Sequence, residues 1–112
     1  MADVIKMRCV NKSKELSVLA DELKEALVSE LVCDERRLND YMIMLCFEEF
    51  YFRCSSYVGL SIVLTEDSDS QDVIIAGFGG GDGLLNISWG ANKSFAKRAA
   101  KELKKSGFEE VE

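Results

Sequence analysis

From Tyr41 to Trp89 the apolar residues recur with a period close to two, and clusters of Gly, Ser and Asp fall between the apolar runs. That pattern constrains the chain more than any other feature. "YMIMLCFEEFYFR" reads as one long strand, "YVGLSIVLTE" as the next, "DVIIAGF" as a third and "GLLNISW" as a fourth. The connections are too short for the dozen or more residues of a parallel crossover, so the strands must return as an antiparallel meander.

Flanking segments have a different period. In "SKELSVLADELKEALVSEL", Leu16, Leu19, Ala20, Leu23, Ala26, Leu27 and Leu31 fall on one helical stripe, with Ser13 as expected N-cap and Glu15 near the positive helix end. "NKSFAKRAAKELKKSG" is again helical, with Phe95, Ala96, Ala99, Ala100 and Leu103 inward and Gly107 just past the end. "VIKMRCV" reads as a short alternating strand, and Glu30 to Leu38 as a strand in preference to a fraying helical turn. The predicted fold is α+β, a two-layer sandwich in one domain over residues 1–112. It has an antiparallel sheet of five or six strands and two helices on one face, in the order β-α-β-β-β-β-β-α or β-α-β-β-β-β-α.

A chain of 112 residues with 47% hydrophobic and 30% charged residues has material for one core. It holds no run of about 18 apolar residues and no signal-peptide core, so the expectation is a cytoplasmic protein without a membrane partner. Cys9, Cys33, Cys46 and Cys54 follow no metal or disulfide spacing and are read as reduced, mostly buried thiols. The chain has no histidine, which removes the commonest general base and the usual partner of a nucleophilic Ser or Cys. The expectation is therefore a non-enzymatic protein with no cofactor, no metal and no catalytic residue.

"AGFGGGDGLL", Ala76 to Leu85, has five glycines in seven residues and invites comparison with a phosphate loop. A Walker-type loop needs G-K-[ST] followed by a helix, and here Asp82 would repel phosphate and a strand is expected next. The dinucleotide pattern fails too, since Asp82 stands where the third glycine belongs. A hairpin loop accounts for the stretch, because glycines supply the positive φ angles of tight turns. "EDSDSQD" fails as an EF-hand, lacking glycine at Asp72 and glutamate at Phe78 when counted from Asp67.

The order of these segments is similar to that of a known group. From "CFEEFYFRCSSYVGLSIVLT" through "DVIIAGFGGGDGLLNISWG" to "NKSFAKRAAKEL", the chain resembles a family of short bacterial proteins known only as a domain of unknown function, over Cys46 to Leu103. The resemblance implies a domain of this length running strand, helix, several strands, helix, and implies no catalytic residues.

Three sets of residues are candidates for function. Glu48 lies mid-strand beside Phe47; with Trp89 and the glycines Gly79, Gly80 and Gly81 it would line a small-molecule pocket between sheet and helices. A strand apolar on both sides implies cover on both sides, so Tyr41, Ile43, Phe47 and Tyr51 are candidate residues of a homodimer interface. A β-bulge near Glu48 would remove that requirement. Lys93, Lys97, Lys101 and Lys105 form a row on the last helix; residues 93–105 carry +5 while the remainder, with eight basic and nineteen acidic residues, carries −11. Lys97 and Lys101 are thus candidates for a solvated face, for pairing with the acidic loop of another subunit, or for weak polyanion binding. Nucleic acid is disfavoured by the net charge of −6.

Overall fold

The computed structural model describes residues 3–27, 32–51, 56–79 and 89–111. Six strands and two helices follow one another as β1 (Asp3–Cys9), α1 (Leu16–Leu27), β2 (Val32–Asn39), β3 (Met42–Tyr51), β4 (Ser56–Glu66), β5 (Gln71–Gly79), α2 (Trp89–Lys104) and β6 (Glu109–Val111). The strands form one antiparallel sheet in the order β2-β3-β4-β5-β1-β6. The fold is the expected α+β sandwich, with the element order β-α-β-β-β-β-α-β.

Alternation along the strands builds the core. Ile43, Leu64, Val73 and Met7 lie side by side on β3, β4, β5 and β1, and the next row is Leu45, Ile62, Ile75 and Ile5. All of these are buried except Ile5, which is partly so. Above them α1 presents Leu16, Leu19, Ala20, Leu23 and Leu27, spaced to form one stripe. It lies over β3 and β4, while α2 lies over β5 and β1 and sets Phe95, Ala96, Ala99, Ala100 and Leu103 against them. Three alanines let the α2 backbone approach the sheet closely.

The helix ends are set by identifiable groups. Glu15, not Ser13, holds the cap position of α1: its carbonyl accepts from the N–H groups of Val18 and Leu19, both at 3.1 Å. The chain before it is fixed from the sheet side, where the buried Gln71 amide donates to the Lys14 carbonyl and to Glu66 Oε1, each at 2.8 Å. Ala26 is exposed, so the inward stripe is one residue narrower than expected, and Leu31 lies outside the described residues. At the far end of α2, Phe108 N–H donates to the Leu103 carbonyl and Gly107 N–H to that of Lys104, both at 3.2 Å. This is a Schellman cap, which needs a left-handed residue, and Gly107 supplies it at φ +91°. Phe108 then inserts into the core, and β6 begins at the next residue, Glu109.

The sixth strand is β6 and was not expected. Of "GLLNISW", read as a strand, Trp89 opens α2, and residues 83–88 lie outside the described residues. Gly80 and Gly81 do too; Gly79 ends β5 opposite Val58. No bulge separates β3 from β4, whose register runs unbroken from Met42–Thr65 to Tyr51–Ser56. The register shift falls instead in β2, between Arg37 and Asn39.

Because Ile62 sits fully buried in the middle strand, Ile62→Ala should lower the unfolding free energy by about 2–5 kcal/mol. Lys97→Ala, on the exposed side of α2, should stay within about 0.5 kcal/mol. Urea titrations of the two variants check the contrast.

Candidate functional site

With both helices on one side, the residues of opposite parity on β1 to β5 make a second face (the open face) that no described element covers. Register orders it into rows. One row crosses the strands as Asp34, Cys46, Ser61, Ala76 and Val4, and the next as Arg36, Met44, Val63, Ile74 and Lys6. The first is built of small side chains at its centre, the second of bulky ones. Met44 is 41% exposed and Ile74 46%, which is high for large apolar side chains in mid-sheet. Asp34 and Arg36 form an ion pair on the β2 edge. Between β1 and β5 Arg8 Nε meets Asp72 Oδ1 at 2.7 Å. The two central rows of the face are uncharged from β3 to β5, and charge lies on β2, on β1, and at Glu48 and Asp72 in the outer rows.

Glu48 belongs to this open face and is exposed, two strands from Phe78 across Gly59. The Phe78 ring lies over Gly59 so closely that a Cβ there would come within 2.5 Å of it. Glycine therefore gives the ring its seat, leaving Phe78 47% exposed as a flat apolar surface.

The expected interface residues divide between the two faces. Ile43 and Phe47 are 1% and 2% exposed beneath the helices, so they are core residues and the open face of β3 is carried by Met42, Met44 and Cys46. Tyr41 is exposed at the β2–β3 turn, and the side chain of Tyr51 lies outside the described residues, as does that of Trp89. Tyr41 borders a cleft of about 370 Å³ at the start of α1, lined also by Leu16, Ser17, Arg37, Asp40 and Glu66.

Lys97 and Lys101 are exposed on α2, while Lys104 pairs with Glu110 at 3.3 Å and Lys105 with Glu102 at 3.2 Å. Arg98 stands 5.7 Å from the Phe95 ring centre, a cation–π contact. Of the acids expected to meet this helix from another subunit, Asp69 is exposed and Glu66, Asp67 and Asp72 each hold a contact within the chain. Asp67 Oδ1 accepts from the N–H groups of Asp69 and Ser70, both at 2.8 Å, which holds its carboxyl below the usual range. Asp72 is paired with Arg8, and Glu66 with Gln71.

On the helix side of β2 the sequence reading missed a charged group. Glu35 meets Lys24 of α1 at 2.6 Å and Arg37 at 2.5 Å, and both cations lower the Glu35 pKa, Arg37 most. The signal was present, since Cys33, Glu35 and Arg37 share a parity and a core-facing Glu demands a cation from the overlying helix. Burial pushes the Cys33 thiol pKa up, which disfavours the thiolate. Cys46 Sγ lies 3.8 Å from Ser61 Oγ on the open face, and Cys9 is buried. Among the described residues no group of three His, Cys, Asp or Glu is placed to hold a metal, and no helix is long and apolar enough to cross a membrane.

Fold and surface together define an α+β open-faced sandwich with a covered and an uncovered sheet face. Residues 1–107 match a family of unknown function (DUF6054), and the chain belongs to that family. No curated protein and no solved structure matches it.

The Glu35 cluster sets an acid limit. A carboxylate whose pKa is lower folded than unfolded adds stability above its unfolded pKa, and that stability is lost as pH falls through the folded value. The urea midpoint should therefore drop from the pH just above the ordinary Glu range downward. Glu35→Gln should be less stable near neutrality by up to about 1 kcal/mol and should flatten that drop, leaving the share due to Asp67. Equal slopes in both proteins would contradict the assignment.

Proposed function

We propose that the chain is a non-enzymatic cytoplasmic association module, self-associating or protein-binding, that works through the open face of its sheet. One observation carries the reading: Met42, Met44, Ile74 and Phe78 form an exposed apolar band across β3 to β5, in the middle of a sheet whose other face is fully used. Antiparallel sheets that face water on one side are ordinarily polar there, and a contiguous apolar band rimmed by charge has the composition of a docking surface. Lack of histidine in the chain favours docking over catalysis, and the cysteine spacing suits a reducing compartment. Polyanion binding by α2 has weaker support, because the exposed Lys97 and Lys101 sit on a chain of net charge −6.

The thioethers of Met42 and Met44 provide the test. Hydroxyl-radical footprinting should find both protected in intact cells relative to the purified chain at high dilution, with exposed reference residues such as Tyr41 modified equally in the two samples. Equal oxidation of Met42 and Met44 in both samples would refute the reading.

A further inference from the structure

We infer that the open face is met by a second copy of this chain, through a two-fold axis that runs across the strands between the two central rows. The inference rests on the reading of the open face as a docking surface and names its occupant. In the bulky row the central side chains are Met44, Val63 and Ile74; in the adjacent row, on the same three strands, they are Cys46, Ser61 and Ala76. One is a ridge and the other a furrow. Rotation about an axis lying between them exchanges the rows, so that Met44 of each chain lies over Cys46 of the other, Val63 over Ser61, and Ile74 over Ala76. Each chain is then both knob and hole, as an isologous contact requires.

The ends of the rows support the same axis. It sets Arg36 of each chain over Asp34 of the other, joining two ion pairs into a four-charge cluster of alternating sign on the β2 edge. At the opposite end Lys6 lies over Val4, where its aliphatic stem covers the valine and its ammonium reaches water. The alternative two-fold axis, parallel to the strands through β4, would lay ridge on ridge and furrow on furrow and would set Arg36 over Lys6 of the second copy. In the two central rows charge and shape both reject it. Packed sheets lie about 10 Å apart and pivot by about 30°, an arrangement that the row-exchanging axis permits.

Size agrees as well. Five strands about 4.8 Å apart, and four same-face rows about 6.8 Å apart, span roughly 650 Å² per chain, near the roughly 800 Å² per partner of a standard stable interface.

The test uses the full chain and charge exchange, read by native mass spectrometry and sedimentation equilibrium at micromolar concentration. The unaltered protein should be a dimer. On the open face of β2, Asp34→Arg leaves only positive charge at positions 34 and 36 and Arg36→Asp only negative, so each variant alone should dimerise at least about tenfold more weakly. Mixed in equal amounts, they should recover a dimer of one chain of each kind. Ala76→Phe, which fills the furrow on a half-buried surface, should be monomeric with its urea midpoint nearly unchanged. A monomeric unaltered protein would overturn the inference, and protection of Met42 and Met44 in cells would then assign the face to a different protein. A dimeric unaltered protein whose two charge variants do not pair with each other would overturn the axis.

Discussion

Burial of one strand parity beneath two helices is the interaction on which the structure depends. Leu45, Ile62 and Ile75 lie side by side at the centre of the sheet, and each is fully shielded by the helix layer. Full burial of each is worth about 1.5–3 kcal/mol relative to exposure. A one-residue slip of any strand would exchange these side chains with Met44, Val63 and Ile74, and the register is therefore strongly specified. The unbroken pairing of β3 with β4 and of β4 with β5 follows from that requirement.

The same arrangement fixes what remains outside. Two helices lie on one side of the sheet, over β3, β4, β5 and β1, and the chain places its polar ties where they serve that side. Gln71 anchors the approach to α1, Lys24 reaches from α1 to Glu35 on β2, and Phe108 brings the chain from α2 into β6. On the opposite side the two central rows are uncharged from β3 to β5, with charge around them. The two faces thus have different tasks: one holds the fold together and the other presents a surface with alternating high and low rows.

Much of this was legible in the sequence. Period-two alternation from Tyr41 to Phe78 identified β3, β4 and β5, and three- and four-residue spacing identified both helices. Apolar residues at both parities of β3 signalled that the two faces of that strand would be unusual, but parity alone could not say which set lay under the helices. Ile43 and Phe47 were assigned to an interface and prove to be core, because that choice depends on which side α1 crosses. Ser13 resembled an N-cap by residue type, yet the buried Gln71 fixes the Lys14 carbonyl and α1 starts two residues later. The three-residue β6 carries too little pattern to be read locally and forms because Gly107 turns the chain back beside β1. Row order on the open face was out of reach for the same reason, since cross-strand neighbours are set by register.

The inferred packing sets the ridge of one chain in the furrow of another. An isotope-filtered NOE experiment on a sample mixed from labelled and unlabelled chains tests it most directly, by reporting only contacts between chains. Cross-peaks are expected between the Ile74 methyls of one chain and the Ala76 methyl of the other. Cross-peaks between Ile74 and Ile74, or no contact between chains from Ile74 at all, would contradict it.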